Sequence, residues 1–205
     1  MKLQNRVNPE GEICFSSERG TLMGNRGCLH DADQKIRYSS KRDAWVTCLL
    51  SFKERKRELM QPGQYTELFF LDEATALAAG HRPCAECRRD RYKQFLAAWP
   101  AQGEGVRAAD VDKALKRERM ADNRVPANQL AKYPDGVMVK ELSSGQYYLL
   151  RGKHAFLWTF WGYQSPVLKG ELSGEFRVLT PVSTVVAIQN GYHPEIHPSV
   201  EQPLA

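Results

Sequence analysis

The stretch 69–87 reads FFLDEATALAAGHRPCAEC and holds the densest run of local signals in the chain. Its first residues are aromatic and apolar and suit the end of a strand. Asp72 can cap a helix through its side-chain oxygen, and Glu73 then lies in the first turn, where negative charge complements the helix dipole. Ala74, Ala76, Leu77, Ala78 and Ala79 favour helix, and Gly80 is placed for the left-handed position that ends one. Pro83 fixes the backbone directly before Cys84, and Cys84-Ala85-Glu86-Cys87 is a C-x-x-C pair. Two thiolates at that spacing can converge on one tetrahedral zinc ion. A second helix is expected to open at Glu86 and run to Trp99, and its N-terminus favours thiolate over thiol. Two other readings stay open: a redox dithiol, and two ordinary buried cysteines. The redox reading suits a pair that follows a strand, whereas this pair follows a helix and a glycine stop.

Outward from this stretch the pattern is strand-rich on both sides. Upstream, 44–52 (AWVTCLLSF) alternates Val46, Cys48, Leu50 and Phe52 on one face and predicts a strand, as do residues 65–71. Between Thr21 and Gly27 two glycines flank Asn25-Arg26, which predicts a tight loop with close backbone approach. Residues 1–70 therefore read as a small antiparallel sheet feeding the cysteine-bearing helices. Downstream, Tyr92, Phe95, Leu96 and Trp99 recur at helical spacing and form a core-facing stripe. Residues 101–105 read as a linker, 108–120 as a basic helix, and 123–133 as a loop with a short helical turn. Beyond 134, strands are expected over 137–142, 146–150, 154–161 and 175–179. A last helix follows, capped by Thr180 with Pro181 at its first position. The fold class is α+β: a zinc-binding module over 1–100, a basic helical connector over 101–133, and a small β-rich unit over 134–205 that can pack with the first as one domain.

Composition narrows the function classes. A hydrophobic share of 42% in 205 residues supports a core rather than global disorder. No apolar run is long enough for a transmembrane helix, and the N-terminal residues lack the apolar segment of a signal peptide. Five cysteines, an odd number, imply no disulfide framework, and the expected compartment is the cytoplasm. The net charge of +5 is concentrated in three clusters: Lys53, Arg55, Lys56 and Arg57; Arg82, Arg88, Arg89, Arg91 and Lys93; Lys113, Lys116, Arg117 and Arg119. Each alone fits a solvated surface, but three beside one cysteine knuckle point to a phosphate-binding face. Arg82, Arg88, Arg89, Arg91 and Lys93 are the candidates for contact with nucleic acid, DNA foremost. No nucleophile elbow, Walker A loop or dinucleotide fingerprint is present, so those enzyme classes lose support.

An aromatic strand end, a short Ala-rich helix closed by glycine, and Arg-Pro-Cys-x-x-Cys occur here without a gap over 69–87. In this the stretch resembles the Ada-like zinc-binding modules, known from adaptive-response DNA repair proteins and from bacterial nuclease and competence proteins. The resemblance implies that Cys84 and Cys87 form half of a zinc site near bound DNA, with the other ligand pair upstream. Lys53 to Arg57 occupy the places expected for that pair, so the methyl-accepting chemistry of the Ada proteins is not expected here.

For the remaining ligands Cys48 ranks first, as the nearest upstream cysteine on a neighbouring strand. His30 ranks second, with Asp31 available to orient it; Cys28 and Cys14 rank below. Cys48, Cys84, Cys87 and His30 would make an ordinary structural zinc site. An alternative function is a metal-dependent nuclease or base-processing hydrolase that uses His30, Asp31 and Asp33, or His193 and His197. Asp-rich turns are common without a metal, and the prolines after both C-terminal histidines argue against a zinc-binding helix, though an extended segment would point both histidines to one side of a cleft.

Overall fold

The computed structural model describes residues 3–53, 58–100 and 105–202, and the chain is α+β. The first sheet is built from β1 (Gln4–Val7), β2 (Ile13–Phe15), β3 (Leu22–Asn25), β4 (Val46–Cys48), β5 (Leu68–Phe70) and β6 (Arg82–Pro83), in the order β2-β1-β5-β3-β4-β6. It is mixed rather than wholly antiparallel, because β1 runs parallel to β5 and β4 parallel to β6. The knuckle explains the second parallel pair. After α1 (Glu73–Ala78) the chain doubles back, and the N–H groups of Arg82 and Cys84 donate to the carbonyls of Trp45 and Thr47. Pro83 lies between them without an N–H to lose.

Helix α1 forms as its sequence dictates. Asp72 caps it by accepting from the Thr75 N–H at 2.8 Å. At the other end Gly80 takes φ +79°, and the Gly80 and His81 N–H groups return to the Leu77 and Ala76 carbonyls. This is the Schellman arrangement, which satisfies the last orphan carbonyls. Helix α2 (Arg89–Ala98) opens three residues later than expected, because 84–88 are spent in the cysteine turn. The expected strand over 44–52 is only β4, since β6 beside it is two residues long; past it Leu49 and Leu50 are exposed.

After α3 (Ala108–Glu118) come β7 (Arg124–Pro126) and a 3-10 turn over Ala127–Lys132, then β8 (Met138–Glu141), β9 (Tyr147–Arg151), β10 (His154–Thr159), β11 (Gly162–Leu168) and β12 (Glu175–Val178). They form a second sheet, β11-β10-β9-β8-β12-β7. Strands β7 and β11 are not foreseen from the sequence; both are edge strands and carry a proline. The last helix, α4 (Val182–Gln189), begins one residue later than expected with Pro181 as its cap residue. The Thr180 hydroxyl instead accepts from the Met138 N–H. Of the expected linker, 101–104 lie outside the described residues.

The two sheets meet through α1. Leu71, Ala74 and Ala78 pack with Met138, Leu149, Trp158 and Tyr163 of the second sheet, while Ala76 and Ala79 pack with Val7, Leu68 and Phe70 of the first. A third apolar cluster joins Leu77 to α2, α3, α4 and the second sheet. The helix is buried along its whole length, so the knuckle that follows it is held at a fixed position. No helix among the described residues is long and apolar enough to cross a membrane.

Candidate metal centre

Cys84 and Cys87 lie in the turn between β6 and α2, and Cys48 ends β4 directly beside them. Their three sulfurs lie within 4.8 Å of one another, and this group could hold a metal ion. All three cysteines are half-buried and none is in a disulfide. Hydrogen bonds from Cys48 and then Cys87, with N–H groups of Cys87 and Glu86 adding to them, draw the Cys84 thiol down to about 2. The Glu86 N–H lies 3.4 Å from that sulfur. Cys48, whose thiol is within hydrogen-bonding reach of both neighbours, is pushed far up, first by Cys84, then by Cys87 and by burial. For Cys87 the hydrogen bond from Cys48 and the Leu49 N–H pull down, but the Cys84 sulfur and burial prevail and raise it. These surroundings favour the thiolate at Cys84, and a cation brought among these sulfurs would favour the loss of the other protons.

A cleft of ≈ 460 Å³ opens beside the sulfurs, lined by Cys48, Cys84 and Cys87 together with Arg42, Leu50, Tyr65, Glu67 and Glu86, among others. The sequence reading missed this cleft. Leu49 and Leu50 after Cys48 suit the alternation of a strand in the sequence, and only the fold leaves them exposed beside the cleft.

His30, ranked second as a ligand, is placed elsewhere. It is buried, with Nδ1 2.6 Å from the Thr66 hydroxyl and Nε2 3.1 Å from the Gln61 carbonyl, so both ring nitrogens are engaged. Cys28 and Cys14 each lie near a backbone carbonyl, outside the three-sulfur group. Asp31 is a turn residue: one oxygen accepts from the Asp33 and Lys35 N–H groups and the other pairs with Arg37 at 2.6 Å. His193 and His197 belong to the C-terminal segment that clasps α1. The His193 carbonyl accepts from Arg91, and the His197 N–H donates to Asp72.

The basic candidates divide in two. Arg82, 6% exposed, makes a two-pronged pair with Asp112 of α3 at 2.7 and 2.8 Å. Arg88, 4% exposed, pairs with Glu73 at 2.9 Å and Glu195 at 2.7 Å. Arg91 reaches Glu73 at 2.5 Å. These three cations neutralise internal carboxylates, and a phosphate could not reach Arg82 or Arg88 without breaking a buried pair. Arg89 and Lys93 stay exposed, one helical turn apart on α2. Arg55, Lys56 and Arg57 lie outside the described residues.

Fold and site together define an α+β protein with a three-cysteine group that could hold a metal ion, beside a cleft. Comparison with protein-family models, with curated proteins and with solved structures finds no match in any of the three.

Proposed function

We propose that this chain is a zinc protein that binds nucleic acid, DNA foremost, with zinc on Cys48, Cys84 and Cys87. The observation that carries the reading is the convergence of three sulfurs from two separate elements. Tetrahedral zinc with sulfurs at about 2.3 Å spaces them roughly 3.8 Å apart. A group confined within 4.8 Å accommodates that spacing. An all-sulfur donor set favours zinc over the hard cations of a Mg²⁺ nuclease. The likeness of 69–87 to Ada-like modules supports the same assignment. Three reduced thiols also require a reducing compartment, which favours the cytoplasm.

The nucleic-acid part of the reading rests on surface charge. Arg89 and Lys93 project from the helix that follows the knuckle, and Arg42 stands exposed in the cleft wall. In the fluorescence anisotropy of labelled single- and double-stranded DNA and RNA, wild-type affinity should fall steeply between 50 and 200 mM salt. An Arg89→Ala, Lys93→Ala double variant should bind more weakly, with a salt slope reduced by about 2. An unchanged slope would remove this face from the proposal.

One observation favours a second reading, hydrolysis of a nucleic-acid base or backbone. Three protein donors beside a cleft, with no fourth among the described residues, is the arrangement of catalytic zinc sites, where the metal supplies Lewis acidity and an activated water. Glu67 and Glu86 line the same cleft and could move a proton there. Product formation from the same labelled substrates, lost in Cys48→Ser, separates this reading from binding alone.

A further inference from the structure

On the other side of β4 lies a second polar cluster, built on the Asn25-Arg26-Gly27 loop. Arg26 follows β3 and is 1% exposed. Its Nη1 donates to the Gly11 carbonyl at 2.8 Å and its Nε lies 3.2 Å from His81 Nε2. Its Nη2 is buried and meets no acceptor. Arg119 comes from the C-terminal end of α3. Its Nη2 donates to the Asp43 carbonyl, and its Nε is likewise buried without a partner. Both guanidiniums lie over the Trp45 ring, 3.8 and 3.9 Å from its centre. The indole is pinned at its edge, where Nε1 donates to Ser40 Oγ at 2.7 Å and to the Arg42 carbonyl.

Among the described residues neither guanidinium is ion-paired, and each keeps a buried N–H without a partner. No carboxylate contacts either guanidinium among the described residues. The acids near Arg119 are committed, Asp112 to Arg82 and Asp43 to Lys116. A cleft of ≈ 440 Å³ is lined by Arg26, Trp45 and Arg119, and none of its four acids reaches either guanidinium among the described residues. Glu10 pairs with Lys140 and Arg177, Glu12 accepts from Asn8, Glu118 accepts from Ser183, and Asp122 pairs with Arg124. Burial brings Arg26 down to about 9, with Arg119 adding to it, and brings Arg119 down to about 10, so both stay charged at pH 7. Burial, then these two cations, hold His81 neutral. Buried charge without a counter-charge is costly, and the omission is explained if the counter-charge arrives with a ligand.

We propose that Arg26 and Arg119, stacked on Trp45, form an anion site that takes a phosphate monoester, the phosphate meeting the unpartnered Nη2 of Arg26 and Nε of Arg119. Guanidinium groups match phosphate oxygens in geometry, and two cations match a dianion. The cleft is larger than a phosphate alone requires, so it leaves room for the organic group that carries it. The depth of Arg26 selects a terminal or free phosphate over one inside a continuous strand. Gly80 is part of the design, because a Cβ there would lie 2.4 Å from the Arg119 side chain and displace it. The site is separate from the three-sulfur group and does not depend on the zinc reading.

The test is calorimetric titration of the full chain at constant ionic strength with inorganic phosphate, adenosine 5′-monophosphate, adenosine, and an oligonucleotide without terminal phosphates. Saturable binding of the first two, with none of adenosine or the oligonucleotide, is expected. Tighter binding of the nucleotide than of phosphate would identify an organic phosphate as the ligand. Equal binding would identify phosphate itself, and both results support the site. Arg119→Gln should weaken binding about tenfold or more through the loss of a charge-assisted contact. Arg119 is only half-buried, so this variant keeps the test valid if Arg26→Gln fails to fold. No saturable binding of either phosphate by about 10 mM, a concentration that nearly saturates a site with a Kd of about 1 mM, would overturn the proposal. Equal affinity in wild type and Arg119→Gln would do the same.

Discussion

Glu73 has no exposed side-chain surface, yet it holds two guanidiniums, the Tyr192 hydroxyl at 2.6 Å and the Glu195 N–H at 2.9 Å. Glu73→Gln leaves Arg88 buried beside an uncharged amide and should cost about 3–5 kcal/mol in urea unfolding. Glu195→Gln, at a side chain 60% exposed, should cost about 1 kcal/mol or less. The sequence placed Glu73 correctly in a first turn but gave no sign of this role. Its partners follow 15 and 18 positions later, beyond the end of α1 and the cysteine turn, so no single element's period links them and Arg88 and Arg91 read as surface cations. His81 makes a second residue-scale prediction. Its folded pKa lies well below 6.5, through burial first and then Arg26 and Arg119. The unfolded chain therefore takes up the proton first as pH falls. The stability His81 contributes is complete above 6.5 and is lost as pH drops below it. Between pH 6.5 and 5.5 stability should fall with a limiting slope of about 1.4 kcal/mol per pH unit. His81→Gln should flatten that segment; an unchanged slope would reassign it to another group.

At the scale of elements, α1 was legible because its signals are local: a capping Asp72, alanines and a closing Gly80. The same glycine carries a constraint that propensity cannot express. Gly63 and Gly80 have similar φ, +76° and +79°, but a Cβ meets nothing within 4 Å at Gly63 and meets Arg119 at Gly80. Gly63→Ala should cost about 1–2 kcal/mol for backbone strain alone. Gly80→Ala should cost a further 1–3 kcal/mol, roughly, from the forced overlap. Equal losses in thermal or urea unfolding would mean that Arg119 moves aside freely. The strands were less legible. Only three residues of 44–52 form β4, because a strand extends only as far as its neighbours do, and β6 ends at Pro83. That early end places Cys48 at the strand terminus, beside Cys84 and Cys87, rather than within an apolar face.

Across the whole molecule, the α+β class was visible in the switch from mixed strands and helices to a strand-rich end. The joining of the two sheets was not, since it depends on pairs distant in sequence. Asp72 caps α1 and also accepts from Tyr163 of β11 at 2.7 Å and from the His197 N–H. Trp158 of β10 donates to the Thr75 hydroxyl. These bonds fix α1 between the sheets, and the knuckle at its end brings Cys84 and Cys87 to Cys48. His30 was a reasonable candidate from sequence, and only the fold reveals that Thr66 and Gln61 occupy its ring. The most direct test of the account is the zinc content of purified wild-type, Cys48→Ser and His30→Ala protein, with each variant checked for native circular dichroism. The account predicts one zinc per chain in wild type and in His30→Ala, and its loss in Cys48→Ser. Stoichiometric zinc in Cys48→Ser, or its loss from a folded His30→Ala, would contradict it.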